Sequence, residues 1–454
     1  MELNTLLVII FFSSFMIFLF SGFPVGFVLG GLGFLFAFLG DILNIFGIEV
    51  DISLKFFTLA VGRFFSSMTN TNLVPVPLFI FMGIMLDRSG IASKLLQSLQ
   101  LLFRRIPGGL ALAVTFIGVI LAATTGIIGA SVVLLGTLAL PEMLKANYKK
   151  ELALGTVVSS GTLGILIPPS IMLLVMADQM LLSVPDLFMA AMIPGLLLAA
   201  LYMIYIIVIA IVKPGYAPVA SHLQAAGQTN STASIFFSVI INLLPPSLLI
   251  FAVLGSIFFG ITTPSEAAGV GALGALILAA FHGKLNLHSL KETCHATSKM
   301  TGFVFFLIFG APCFALALRG LGGDEVIESL LRNFAGGQMS FILFSLSVVF
   351  VLGFFLDWIE ITIILIPLIL PMVIEMQIDV YWFAILVAVC LQTSFLTPPM
   401  GPALFYVQGI APKGVRIEHI YRGVIPYVIL QLLAIVILLK YPELVTWLPT
   451  VMGR

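Results

Sequence analysis

Residues 161–170 read GTLGILIPPS and residues 391–400, 230 positions later, read LQTSFLTPPM. Each stretch sits inside a long apolar run, which it interrupts with small and hydroxylated residues and then a Pro-Pro pair. Proline removes a backbone donor and clashes with the preceding turn, so neither run continues as one smooth helix. An interrupted helix exposes unpaired carbonyls where it stops and unpaired N–H groups where it restarts. The carbonyls suit a cation, and the N–H groups with the dipole behind them suit an anion. Because proline is tolerated at a first helical position, the restarts are expected at Pro168 and Pro169 and at Pro398 and Pro399. Gly161 and Gly164 let the first segment bend, and Thr162 adds a neutral oxygen beside Ser159 and Ser160. Gln392, Thr393, Ser394 and Thr397 supply the equivalent oxygens in the second copy.

Composition puts both breaks in a bilayer. Of 454 residues, 61% are hydrophobic and 9% charged, whereas soluble domains carry about 25% charged residues. Mean hydropathy is +1.21. Formal net charge is zero, which gives no reason to expect a nucleic-acid partner. Cys294, Cys313 and Cys390 have no metal-ligand spacing and read as packing residues. The run from Leu6 to Phe20 lacks a basic head and a clear cleavage site, so it reads as a retained span.

Lipid leaves no room for open sheet edges, so apolar runs of about 20 residues are expected to be helices. Spans are expected near 5–20, 24–40, 72–88, 151–181, 187–212, 234–258, 264–281, 300–318, 380–410 and 417–439. Residues 108–141 and 339–375 are too long for one crossing, and each has a polar interruption, ATTGIIGAS at 123–131 and DWIEIT at 357–362. Both read as re-entrant hairpins. Arg104, Arg105, Lys145, Lys149 and Lys150 flank the first, which places its ends in the cytoplasm by the positive-inside rule. Asp324, Glu325, Glu328, Glu375 and Asp379 flank the second, so its ends are expected outside.

The 230-residue offset also carries Pro141 onto Pro371 and Gly90 onto Gly320. The expected architecture is therefore an all-α polytopic membrane protein, an inverted repeat with about five spans and one hairpin per half. Residues 1–212 form the first repeat and 234–454 the second, joined by a polar cytoplasmic linker at 213–233. Thr124, Thr125 and Ser131 belong to the first hairpin tip and are expected near the first break. Asp357, Glu360 and Thr362 are expected near the second. An ionisable residue within the membrane is a functional candidate by default, so Asp357 and Glu360 join Pro168, Pro169, Ser170, Pro398 and Pro399 as candidate substrate contacts.

Other charges have plainer readings. Asp87, Arg88, Lys94 and Arg319 sit at span ends as interfacial anchors, and Glu266 follows Pro264 as a helix cap. Asp178 follows the first break closely enough to be a functional candidate. No HExxH, GxSxG or Walker A sequence is present, which leaves little for an enzyme or an ATP-driven pump. All five histidines fall in expected loops or at their edges. With few buried proton carriers, neutral oxygens point to Na⁺ as the coupling ion, with no other cofactor or metal.

The motifs VPLFIFMG and DRSG within 76–90, PGGLALA (107–113), AAMIPGLLL (190–198), GITTPSEAAGVGA (260–272), LDWIEI (356–361) and TPPMGPALF (397–405), with the first break, resemble one family. It is the large membrane subunit of tripartite ATP-independent periplasmic (TRAP) transporters. The resemblance implies an elevator-type fold, sodium-coupled uptake, a small four-helix membrane subunit and a periplasmic substrate-binding protein. It also implies a small organic acid as substrate and a bacterial or archaeal inner membrane as location. Carried over, its sodium sites fall on Thr124, Thr125, Gly161, Thr162 and Gly164, and on Gln392, Thr393, Ser394 and Thr397. Two other classes stand beside this reading: a self-sufficient symporter or antiporter of the related divalent-anion superfamily, and a structural or enzymatic membrane subunit.

Overall fold

The computed structural model describes residues 3–47, 50, 52–125, 128–219, 232–326 and 336–453. Helices α1 (Leu3–Phe20), α2 (Val25–Ile45), α3 (Leu54–Phe57), α4 (Leu59–Met68), α5 (Pro75–Arg88) and α6 (Ile91–Phe103) open the chain. The first hairpin is α7 (Gly109–Thr125) and α8 (Ile128–Lys145), followed by α9 (Lys150–Thr162), α10 (Ile171–Gln179) and α11 (Val184–Val212). After the linker come α12 (Thr232–Phe258), α13 (Pro264–Phe281) and α14 (Leu287–Gly320). The second hairpin is α15 (Gln338–Leu352), α16 (Trp358–Ile364) and α17 (Ile366–Glu375), followed by α18 (Val380–Leu396), α19 (Pro402–Ile410), α20 (Ile417–Lys440) and α21 (Glu443–Val451). No strand occurs among the described residues.

Eight helices among the described residues are long and apolar enough to cross a membrane. They include α8, whose role as a hairpin arm is set by its partner rather than by its length. The span expected at 300–318 is the apolar end of the longer α14, whose first turns carry His288, Lys291 and His295 on an exposed face. Most of the expected linker, from residue 220 to 231, lies outside the described residues.

Both hairpins are tied shut at their bases. Gly108 N–H donates to Ala217 O and Lys149 N–H to Tyr216 O, each at 3.0 Å, so one short linker segment holds both ends of the first hairpin. Lys149 Nζ also donates to the Tyr216 hydroxyl at 2.6 Å. That bond lowers the Tyr216 pKa from the usual phenol range and raises that of Lys149. In the second hairpin, Gln338 Nε2 donates to Met376 O at 2.8 Å, again joining first and last residues. Each hairpin therefore begins and ends at one place in the fold.

Those bases stand at opposite ends of α20, whose 24 residues span about 36 Å. Just before α20, Gly414 O accepts from Lys150 Nζ at 2.7 Å, beside the first base. Near its other end, Leu438 O accepts from Trp382 Nε1 at 2.8 Å, beside the second. The helix reaches α9 this closely because both cross on glycine: a Cβ on Gly155 would lie 2.1 Å from Gly423 O, and one on Gly423 2.2 Å from Glu151 O. Thr156 Oγ1 and Tyr427 Oη share a buried 2.7 Å hydrogen bond across the same contact.

Each hairpin packs on the restarted half-helix of the other half of the chain. Arm α8 lies on α19, with Gly129 under the Tyr406 ring, and α16 lies on α10. Small readings from sequence fare differently. Glu266 completes a capping box with Thr263, as expected of a helix cap. Arg88 pairs with Glu292, and Arg319 with Asp324 at 3.2 Å. Cys313 and Cys390 are buried, as packing residues are, but Cys294 is exposed and is not one.

Candidate functional site

The first break begins later than the sequence suggests. Gly161 and Thr162 are the last residues of α9, and a tight turn, Leu163–Ile165, carries Gly164 onward. Gly161 is therefore a packing position rather than a bend: a Cβ there would lie 3.0 Å from the backbone N of Val132 on α8. The restart is not at the prolines either. Helix α10 begins at Ile171, and Ser170 is its cap, with Oγ accepting from Leu173 N–H at 3.5 Å and donating to Ile165 O at 2.5 Å. In the second break Gly401 is the cap, and Pro402 rather than Pro398 or Pro399 takes the first turn. The physical reason is that a residue preceding proline is driven out of the helical region, so each Pro-Pro pair holds the connecting segment open and the helix forms after it.

At the end of α18, Gln392, Thr393 and Ser394 are wholly buried, and Thr397 is the C-cap. Thr393 Oγ1 donates to Val389 O at 2.7 Å, Ser394 Oγ to Leu391 O at 2.8 Å, and Thr397 Oγ1 to Thr393 O at 2.7 Å. In the first break Thr162 Oγ1 donates to Ser159 O at 2.9 Å. Each hydroxyl has committed its one proton to a carbonyl and keeps lone pairs for an acceptor role.

The two breaks touch. Gln392 Nε2 lies 3.3 Å from Thr162 Oγ1, and the pair is buried. Since the Thr162 proton is already given to Ser159 O, its oxygen accepts, which fixes the amide with Nε2 toward Thr162. Gln392 Oε1 then points elsewhere, buried and without a hydrogen-bond partner. A buried orphan oxygen of this kind costs about 1–3 kcal/mol unless something binds it. A neutral amide oxygen is a hard donor of the kind that fits an alkali cation, and no group of three or more acidic, His or Cys side chains suited to another metal occurs among the described residues.

Gly353, at the end of the first arm of the second hairpin, comes up against the second break, while α16, which carries Glu360 and Thr362, packs on α10. A Cβ on Gly353 would meet Ser394 Oγ at 2.0 Å, so this glycine permits the contact. Sequence reasoning missed Gly353, although its small-residue counterpart at the 230 offset, Ala123, was a signal. Asp357 and Glu360 are placed differently from a free acidic pair. Asp357 caps α16, accepting from Trp358 N–H at 2.8 Å, while Glu360 Oε2 accepts from Asp357 N–H at 3.0 Å. Asp178 accepts from Asn70 Nδ2 at 2.5 Å and from Gln179 Nε2 at 3.0 Å, which ties α10 to the turn before α5. For Thr124 and Thr125, the side chains lie outside the described residues. Ser131 is buried on α8.

A family model described as the DctM component of the tripartite ATP-independent periplasmic transporter matches residues 12–444. The chain belongs to this family. Its members are transporter permeases rather than enzymes, and this DctM-family chain is a multi-pass membrane protein. It is 29% identical over 394 residues to the C4-dicarboxylate TRAP transporter large permease protein DctM of Pseudomonas aeruginosa, covering 86% of this chain and 89% of that one. It is 27% identical over 443 residues to the sialic acid TRAP transporter large permease protein SiaM of Vibrio cholerae, covering 94% and 98%. Among solved structures, the Alcanivorax borkumensis YdaH transporter, reported as having an unusual topology, matches with a TM-score of 0.62 at 17% identity over 100% of both chains. That likeness supports the fold alone.

Proposed function

We propose that this DctM-family chain is the large transmembrane subunit of a sodium-coupled importer of a small organic acid. The orphan Oε1 of Gln392, buried where the two breaks meet, carries the reading. Na⁺ binds there and at the equivalent oxygens of Thr162, Thr393, Ser394 and Thr397, with Thr124, Thr125, Gly161 and Gly164 completing the two sites. The acid binds beside them, facing Ser170 and the Pro168–Pro169 and Pro398–Pro399 segments. Relatives named for C4-dicarboxylate and sialic acid, both carboxylates, support that substrate class. The partners are a small four-helix membrane subunit and a periplasmic binding protein that delivers the acid to the inner membrane. Opposed hairpin bases along α20 support an inverted repeat and an elevator-type movement.

Reconstitution with both partners in proteoliposomes tests the coupling. Uptake is expected to follow an imposed Na⁺ gradient and to persist without a pH gradient. Uptake driven by a pH gradient alone, with Na⁺ absent on both sides, overturns it.

A further inference from the structure

Where α1 meets the second hairpin there is a cavity of about 240 Å³, walled by Phe12 and Phe15 of α1, by Ser345 of α15, and by Leu356, Ile361 and Leu365 at the turn and arm beyond. Its wall is hydrocarbon. Ser345 is wholly buried, and its Oγ has no hydrogen-bond partner. A helical serine usually gives its proton to the carbonyl one turn back, as Ser347 does to Leu343 O at 2.7 Å on the same helix. Ser345 does not. The cavity is far larger than the 10–15 Å³ that one water needs, yet its hydrocarbon lining lacks the three or so polar partners that a buried water usually has. Apolar cavities of this kind stay dry and take up apolar guests.

We propose that this cavity is a binding site for one acyl chain of a bilayer phospholipid. Two observations select that occupant. First, the flanks of the seam are lipid-facing: Ile17 of α1 and Leu343 and Val351 of α15 are 67%, 48% and 53% exposed. Acyl chains therefore surround the mouth at close to neat concentration, and weak affinity suffices to fill it. Second, the length fits. Ser345 lies seven residues along α15 from Gln338 at the hairpin base, which is about 10 Å. That is near the depth at which ester groups give way to hydrocarbon, since headgroup regions add about 5–7 Å to each side of the core. The chain then lies between the N-terminal helix and the hairpin that reaches the second break, filling a joint that protein side chains leave open. This inference rests on the membrane location and not on sodium coupling.

The test uses the full chain in nanodiscs containing phosphatidylethanolamine with a diazirine midway along one acyl chain, irradiated and mapped by peptide mass spectrometry. Carbene adducts are expected on Phe15 and Ile361, which are 2% and 0% exposed, as well as on exposed Leu343. Ser345→Phe, which fills the cavity, is expected to cut the two inner adducts by fivefold or more while Leu343 labels as before. Inner adducts absent from the unsubstituted protein overturn the proposal, whatever the variant does. Inner adducts unchanged in a folded Ser345→Phe protein overturn it as well.

Discussion

Gln392 Nε2 meets Thr162 Oγ1 at 3.3 Å, and the two residues stand 230 positions apart, the same offset that relates the Pro-Pro pairs. Equivalent positions of two repeats touch one another only close to the axis that relates them, so under the proposed inverted repeat this contact marks the centre of the transport machinery. Replacing Gln392 with Leu keeps the bulk and removes the orphan Oε1. Losing one such contact in a dry site is worth about 1–3 kcal/mol, so the Na⁺ concentration for half-maximal uptake is expected to rise roughly tenfold. Thr162→Val is expected to act in the same direction. Thr58→Val is the control, because that hydroxyl lies at an exposed helix boundary with its proton on Lys55 O at 2.6 Å. An unchanged Na⁺ dependence in folded Gln392→Leu protein places the ion elsewhere.

The α9–α20 crossing yields a prediction about stability. A methyl on Gly155 would sit 2.1 Å from the backbone oxygen of Gly423, and backbone cannot step aside as a flexible side chain can. Gly155→Ala is therefore expected to part the helices at a cost of about 1–3 kcal/mol, seen as a lower melting temperature in detergent. Gly30 lies in a helix with open space around its Cβ position, so Gly30→Ala is expected to be neutral or to gain up to about 1 kcal/mol from helix propensity. Equal melting temperatures for the two variants contradict the crossing.

The breaks and hairpins were legible because each departs from the bilayer's simplest rule, an unbroken apolar helix. Pro-Pro pairs and central polar residues announce that departure in one dimension. The helix restarts were not legible in the same way, because capping is decided by which side chain reaches the free N–H groups, and Ser170 and Gly401 hold those places rather than the prolines. Contacts such as Gly155 with Gly423 join residues far apart in the chain and leave no local pattern. Asp357 and Glu360 carry two signals at once. Their D-x-x-E spacing is that of a capping box, which the structure shows, while intramembrane charge points to substrate binding.

Hairpin orientation can be checked by chemistry at the surface. In a background lacking the native cysteines, Arg104→Cys and Lys149→Cys are expected to react with an impermeant maleimide from one face of the membrane. Gln338→Cys and Asp379→Cys are expected to react from the other, because the two bases adjoin opposite ends of α20. Reaction of positions 104 and 149 from opposite faces means that the first hairpin crosses the membrane.

The second hairpin tip separates a capping role from a charge role. Asp357 accepts from Trp358 N–H while Glu360 accepts from Asp357 N–H, an exchange that satisfies the free donors at the start of α16 and fixes the tip against Ser394. Asparagine caps a helix nearly as well as aspartate, whereas alanine does not, and losing a cap costs about 0.5–2 kcal/mol. If capping is the role, Asp357→Asn keeps uptake and melting temperature near the original values. Asp357→Ala lowers the melting temperature and slows uptake, because the hairpin tip loosens over the second break. If the carboxylate instead contacts cargo or ion, Asn and Ala are equally harmful to uptake, and the Asn variant loses transport without losing stability. Measuring melting temperature and initial uptake rate for both variants, with Glu360→Gln as a third, decides between the two. The hydrogen bonds observed at the tip predict the first outcome.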